Sequence, residues 1–243
     1  MFYDKMLLMI PQIAIIIPTY NAKNSITRAI SGIFKKAKNA IIIVVDDNSP
    51  DGTAQLIKKS FPFSRKITLI VRKNKGGRGS AVLDGFKQGL KNKSVQFFIE
   101  MDSDLCHDPR YIPLLVKKCA KFDVAIASKY LKKSRIKGLS YKRKIFSRIA
   151  NFYLRQTLKI PITDYTNGYR CYRRIVLEKI NLRTIRSKGF ITLSEIAYRI
   201  YRKGFSFGEI SFNFKHYNAE KSNFNIKEVI EALLTTFRLI LQR

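Results

Sequence analysis

IAIIIPTYNAKNSITRAISGIFKKAKNAIIIVVDDNSPDGT, residues 13–53, decides the architecture. Ile13 to Ile17 is a β-branched run that stops at Pro18-Thr19-Tyr20-Asn21, and Ser25 to Phe34 then reads as a helix. Ala40 to Val45 is a second short β-branched run, closing on Asp46-Asp47-Asn48-Ser49-Pro50-Asp51-Gly52-Thr53. Strands this apolar are buried on both faces, and a helix between two of them makes a right-handed βαβ unit.

Downstream the pattern repeats. Ile67 to Val71 reads as a third strand, followed by Asn74-Lys75-Gly76-Gly77-Arg78-Gly79 and a helix near Ser80 to Leu90. Val95 to Met101 reads as a fourth, ending at Asp102-Ser103-Asp104. The expectation is an α/β fold with a mainly parallel sheet flanked by helices, in which ligands bind at the carboxyl ends of the strands. Tyr20, Asp46, Asp47, Lys75, Asp102 and Asp104 should therefore converge on one crevice.

With 243 residues and 46% hydrophobic content, the chain suits one sizeable α/β domain better than two. Its 47 Lys and Arg against 17 Asp and Glu leave a formal charge of +30, which points to a polyanionic partner: nucleic acid, an anionic membrane or a phosphorylated substrate. Cys106, Cys119 and Cys171 are too few and too scattered for a disulfide framework or a Cys-rich zinc site, so a reducing compartment is expected. The opening MFYDKMLLMIPQIAIIIPTYN is interrupted by Asp4, Lys5, Pro11 and Gln12. No uninterrupted apolar run reaches about 18 residues, so the chain is not expected to cross a bilayer by itself.

From Val124 to Thr163 there is no acidic residue, while eleven Lys and Arg appear. Coulomb repulsion makes such a block costly unless something anionic lies beside it. Within it Phe146, Ile149 and Tyr153 recur at helical spacing, the mark of an amphipathic helix against core or lipid. Ile226, Val229, Ile230, Leu233, Leu234, Phe237 and Leu241 form another apolar stripe near the C-terminus.

Asp102-Ser103-Asp104 puts two carboxylates where the chain leaves the sheet, so both can reach one cation. Hard oxygen ligands suit Mg²⁺ or Mn²⁺, which keep positions open for phosphate oxygens. A bare Asp-x-Asp triplet is more often a solvated turn. Likewise, Asp46 and Asp47 taken alone read as caps of the next helix. Gly76, Gly77 and Gly79 match neither a Walker loop nor GxGxxG and read as an ordinary turn. His107 and His216 read as structural or surface residues, and Arg170 as an anchor for a buried carboxylate.

Taken in order, IIIPTYN, VVDDNSPDGT, NKGGRGSAVLDG, MDSDLCHDP, ASKY and DYTNGYR resemble the dolichol-phosphate mannose synthase branch of the inverting family-two glycosyltransferases. The likeness runs from Ile13 to Ser222, and six motifs in order are far more specific than any one. It implies a GT-A fold, a nucleotide-diphosphate-sugar donor and a divalent cation, Mg²⁺ or Mn²⁺. Carried over by position, Pro18 and Tyr20 resemble nucleoside contacts, and Asp47 with Asp46 beside it resembles the carboxylate that meets base or ribose. Asp102, Ser103 and Asp104 resemble the diphosphate and metal segment. Lys129 stands where the family has Arg, and together with Arg143 and Ser147 resembles the residues that hold a lipid phosphate. Glu195 falls where relatives place a Glu near the acceptor.

Departures from the family pattern also matter. Ala22 replaces a Glu that contacts the nucleotide. Cys106 stands where relatives offer Gln or Ser near the metal; a thiol suits a hard cation poorly, so water is expected to complete the shell. The family's late Arg, Gly and Lys become Tyr217, Glu220 and Asn223, with Lys221 and Ser222 nearby.

The resemblance implies metal-dependent, inverting transfer of a hexose, mannose from GDP-mannose, onto a polyprenyl (dolichyl) phosphate. UDP-glucose or another donor, or a sugar-hydroxyl acceptor, is the alternative. The expected division is a catalytic domain over 1–218, with a donor half 11–123 and an acceptor half 124–218, and an amphipathic helical tail over 219–243. Expected partners are the donor, the polyprenyl phosphate, an anionic membrane surface and a small membrane-anchoring subunit, with the protein peripheral on the cytoplasmic face of a membrane. A phosphate acceptor needs no general base, since its second pKa lies near about 6; a hydroxyl would need one, with Asp164 and Glu195 as candidates. From another class, a basic nucleic-acid-binding module would account for the charge, but no recognised nucleic-acid motif occurs and the six motifs would stay unexplained.

Overall fold

The structure, a computed structural model, describes residues 12–216 and 226–242. In chain order the elements are β1 (Gln12–Thr19), α1 (Ile26–Lys36), β2 (Ile41–Asp46), α2 (Thr53–Ser60), β3 (Ile67–Val71), α3 (Arg78–Leu90), β4 (Val95–Glu100), α4 (Ile112–Cys119) and β5 (Val124–Ser128). There follow β6 (Arg135–Lys137), α5 (Tyr141–Leu158), β7 (Arg170–Arg173), α6 (Arg174–Lys179), α7 (Thr192–Arg202), β8 (Phe207–Ser211), β9 (Asn213–Lys215) and α8 (Ile226–Leu241).

Seven strands form one sheet in the order β3-β2-β1-β4-β7-β5-β8. All neighbours are parallel except β7, which runs antiparallel between β4 and β5. The parallel α/β expectation holds, and the inserted β7 is the feature that the strand pattern did not disclose. The β-branched runs are uniformly apolar because both faces are covered. Ala14 and Ile16 face one core with Phe86, Phe98 and Ile196. Ile15 and Ile17 face the other with Ile26, Ile30 and Leu115. Gly85 lets α3 lie close on β1, since a Cβ there would run into the Ile16 side chain.

In the basic segment, α5 is the amphipathic helix that the spacing of Phe146, Ile149 and Tyr153 predicts. Ser140 caps it, its side chain accepting from the Arg143 amide at 3.4 Å. α8 packs against α5 and α7. Tyr153 Oη lies 2.8 Å from Thr236 Oγ1, and Arg238 Nη2 lies 3.0 Å from Glu195. Outward, Phe146, Ile149 and Phe152 of α5 and Leu234, Phe237 and Leu241 of α8 remain exposed. No helix among the described residues is long and apolar enough to cross a membrane. The N-terminal apolar stretch up to Pro11, and Tyr217, Glu220, Lys221, Ser222 and Asn223, lie outside the described residues.

Candidate active site

The carboxyl ends of β1, β2 and β4 meet as the topology requires. Asp46 is fully buried at the end of β2, accepting from Thr19 Oγ1 at 2.9 Å and from the Ser49 amide at 2.8 Å. It ties the β1 and β2 turns together. Asp47 reaches the glycine loop, pairing with Arg72 and accepting from the amides of Gly76 (3.2 Å) and Gly77 (3.1 Å). Neither caps α2. The N-cap position is Gly52, and Asp51 just before it accepts from the Thr53 amide at 2.9 Å. Pro18 is buried within β1, whereas Tyr20 is 40% exposed with Lys75 Nζ 3.7 Å from its ring centroid. Tyr20, Lys75, Asp47 and the glycine loop thus form one rim.

The glycine loop is itself held from below. Gly77 has φ +94, and a Cβ there would come within 2.7 Å of the Lys188 carbonyl oxygen. That carbonyl accepts from the Gly79 amide at 2.7 Å and the Ser80 amide at 3.2 Å. The Lys188 amide in turn donates to Glu231 of α8 at 2.6 Å.

At the end of β4, Asp102 Oδ1 accepts from Arg78 Nε at 2.9 Å and forms an ion pair with Nη2 2.7 Å away. The Asp102 amide donates to His107 Nδ1 at 2.9 Å, so that nitrogen carries a lone pair and Nε2–H faces Asn167 Oδ1 at 2.9 Å. Burial holds the His107 imidazole below its usual pKa despite Asp102, consistent with a neutral ring. Burial pushes Asp102 up, but the Arg78 guanidinium outweighs it and keeps the carboxyl below the ordinary range. Beneath them, burial raises Glu100, with Arg78 3.8 Å away and Tyr172 Oη donating at 2.9 Å. Ser103 is partly exposed at the turn.

Asp104 has other company. Leu105 takes a positive φ of 66, and across that turn the Cys106 amide donates to Asp104 Oδ1 at 3.0 Å. The parallel pair β6–β9 brings His216 alongside, its amide donating to the Lys137 carbonyl at 3.0 Å and its Nδ1 lying 3.3 Å from Cys106 Sγ. One ligand atom each from Asp104, Cys106 and His216 falls within 4.8 Å of the others. A carboxylate, an imidazole and a thiol so gathered fit a divalent cation, with Asp102 beside them but held by Arg78. His216 and Cys106 therefore take positions that the sequence reading gave to surface structure and to water.

Toward the basic segment, Arg143 Nη1 lies 3.3 Å from His216 Nε2, which joins that segment to the Asp104, Cys106 and His216 cluster. Ser147 Oγ is 2.6 Å from Tyr130 Oη. Lys129 Nζ is 4.0 Å from Asp164 and 5.4 Å from the Phe214 ring centroid. Asp164 is fully buried, accepting from the amides of Lys129 (3.0 Å), Thr166 (3.1 Å) and Asn167 (3.0 Å). Glu195 is also fully buried, accepting from Ser187 Oγ at 2.6 Å and Arg199 at 2.9 Å. Burial pushes its carboxyl up, but the hydrogen bonds from Ser187 and Arg199 outweigh that and leave it below the ordinary value. Both carboxylates are engaged in structure, so neither stands ready as a general base. Arg170 is buried too, but it donates to the carbonyls of Asn167 (2.8 Å), Leu193 (2.8 Å) and Tyr165 (2.9 Å) rather than to a carboxylate.

The model of the family described as Glycosyl transferase family 2 matches residues 14–181. The chain is 34% identical to a polyprenol monophosphomannose synthase of Mycolicibacterium smegmatis, over 90% of this chain and 83% of that protein. It is 30% identical to an undecaprenyl-phosphate mannosyltransferase of Micrococcus luteus, over 92% and 91% respectively. Among solved structures it resembles glucosyl-3-phosphoglycerate synthase from Mycobacterium tuberculosis in complex with Mn²⁺, uridine diphosphate and phosphoglyceric acid. That likeness has a TM-score of 0.66 at 16% identity, covering 96% of this chain and 78% of that one, and it speaks to the fold alone.

Proposed function

The chain belongs to glycosyl transferase family 2, and from that premise we propose that it moves mannose from GDP-mannose onto a polyprenyl (dolichyl) phosphate with inversion at the anomeric carbon. The observation that carries the acceptor half is the Arg143–His216 contact of 3.3 Å, because it brings a cation of the acid-free segment up to the cluster at the end of β4. A phosphate held there would lie next to the donor diphosphate. Two relatives named for mannose transfer to polyprenyl phosphates, at 34% and 30% identity, favour the sugar and the lipid.

The chemistry follows from charge. A lipid monophosphate is mostly dianionic at neutral pH, its second pKa being about 6, so its oxygen attacks without a base. The engagement of Asp164 and Glu195 in buried hydrogen bonds agrees with this. Lys129, Arg143 and Ser147 hold the acceptor phosphate against repulsion from the donor and set its oxygen behind the anomeric carbon. Tyr20 and Asp47 with the glycine loop seat the nucleoside, and Asp102 borders the diphosphate. Asp104 and His216 would hold a divalent cation, Mg²⁺ or Mn²⁺ in the family's manner, whose contribution is to neutralise charge on the departing nucleotide. The donor half is 11–123 and the acceptor half 124–218, with the tail 219–243 carrying α8. Exposed apolar residues on α5 and α8 among the cations Lys142, Lys144 and Arg148 suit a peripheral position on the cytoplasmic face of a membrane, alone or with a small membrane-anchoring subunit.

The test offers a panel of labelled nucleotide-sugars with Mn²⁺ and a polyprenyl phosphate, and follows label into the organic phase. Mannose from GDP-mannose is expected there. Entry of a different sugar would replace the donor, and label confined to the aqueous phase for every donor would overturn the reading.

A further inference from the structure

We infer that Cys106 is itself a ligand of the cation site, and that this site favours a thiophilic first-row ion, Co²⁺ or Zn²⁺, over Mg²⁺. The inference deepens the transferase reading, from which it takes only the premise that a cation binds at the end of β4.

The geometry is local and specific. Leu105 sits in the left-handed region at φ 66, a conformation that costs a residue with a Cβ roughly 1 kcal/mol or more. The turn is closed by the Cys106 amide on Asp104 Oδ1 at 3.0 Å, which sets the thiol and the carboxylate side by side. Cys106 is only 3% exposed, yet its sulfur is 3.3 Å from His216 Nδ1 and belongs to a three-ligand cluster within 4.8 Å. The thiol is therefore kept from bulk water and turned toward two metal-binding side chains.

Donor chemistry then decides the ion. Mg²⁺ demands near-octahedral oxygen coordination and gives up water reluctantly. Among the three clustered side chains only Asp104 offers oxygen, and Asp102, whose Oδ1 lies 2.7 Å from Arg78 Nη2, is not a member of the cluster. One oxygen, one nitrogen and one sulfur suit borderline ions, whose affinity rises from Mn²⁺ through Co²⁺, with Zn²⁺ above Mn²⁺ as well. On coordination the thiol gives its proton to solvent and binds as thiolate. The remaining positions stay open for diphosphate oxygens.

The experiment titrates the purified full chain with Co²⁺ under anaerobic conditions, without sugar donor, and records its absorption spectrum. A thiolate-to-cobalt charge-transfer band in the near ultraviolet is expected. Zn²⁺ should displace the cobalt, and excess Mg²⁺ should not. In Cys106→Ser the band should vanish and Co²⁺ affinity should fall about tenfold or more, with Mg²⁺ affinity unchanged and the melting temperature near that of the parent. X-ray absorption at the zinc edge of the unaltered protein needs no variant, and should show a sulfur neighbour near about 2.3 Å. A shell of nitrogen and oxygen alone, or equal Co²⁺ affinity in Cys106→Ser, overturns the assignment while leaving mannose transfer to stand on its organic-phase assay. Turnover undiminished by chelators, with no ion bound, removes the cation premise as well.

Discussion

Arg78 Nη2 lies 2.7 Å from Asp102 Oδ1, so the first carboxylate of the aspartate pair already has its counter-ion inside the protein. The same guanidinium stands 3.8 Å from fully buried Glu100. Replacing it with an apolar side chain, Arg78→Met, orphans buried negative charge and should cost about 3–5 kcal/mol near neutral pH. Without Arg78, burial keeps the folded-state pKa of Glu100 above its unfolded value of about 4.3. The stability of the variant should therefore be best preserved below that pH and lost as pH rises through the folded-state pKa. Urea melts across the acid-to-neutral range check the sign: a deficit that grows toward acid would contradict it.

Asp104 is partly exposed and accepts from the Cys106 amide, and its cluster partners come from its own turn and from the residue just after β9. Asp104→Ala should leave the melting temperature within a few degrees of the parent and reduce transfer by about 10²- to 10³-fold or more. Near-normal metal-dependent turnover in that variant would remove the cluster from the active site.

Arg143 is exposed, and its guanidinium lies 3.3 Å from His216 Nε2. Loss of a charged hydrogen bond of about 1.5–3 kcal/mol should raise the acceptor KM about tenfold or more in Arg143→Ala, with a much smaller change in donor KM. Equal effects on both would argue against a lipid-phosphate role.

Glu195 joins α7, the loop at Ser187 and Arg238 of α8 through buried hydrogen bonds. Glu195→Gln should destabilise the fold by about 3 kcal/mol at neutral pH without changing the pH profile of kcat. Its carboxyl is held below the ordinary value, so its contribution to stability is present above the unfolded pKa of about 4.3 and lost as pH falls through the folded pKa. The gap between parent and variant should accordingly close in acid, as chemical melts would reveal. A shifted kcat profile would instead restore Glu195 as an acid or base.

Glu231 holds the amides of Lys188 and Gly189, and the Lys188 carbonyl holds the glycine loop of the donor rim. Removing this support in Glu231→Ala should cost about 1 kcal/mol and raise donor KM severalfold, leaving acceptor KM in place. Steady-state kinetics with each substrate varied separately makes the distinction.

The parallel core was legible because strands covered on both faces must be apolar throughout, as Ile13 to Ile17 and Ala40 to Val45 are. β7 was not. It begins with Arg170, read from sequence as the anchor of a buried carboxylate, whereas the tertiary fold supplies the carbonyls of Asn167, Leu193 and Tyr165 that make its burial tolerable. The Asp102–Asp104 turn was legible from its place after a strand. Its division of labour was not, since Arg78 lies a helix away and Asp102 reads the same whether it faces a guanidinium or an ion. Cys106 carried a signal in its spacing, two residues beyond Asp104, but a thiol argued on hardness alone looks unfit. His216 followed from nothing local, because the three-residue strands β6 and β9 are too short to stand out from loop sequence.

That small β6–β9 ladder has a mechanical consequence. It sets His216 beside Cys106 although the two are 110 residues apart in the chain. A single ion bridging them would act as a reversible staple, held by the native state and released on unfolding, so that it stabilises by mass action. Ion occupancy at a hundred times Kd adds about 2.7 kcal/mol to the native state. The supply of that ion would then govern how long the β6–β9 ladder stays fastened to the turn after β4 as well as how fast sugar moves.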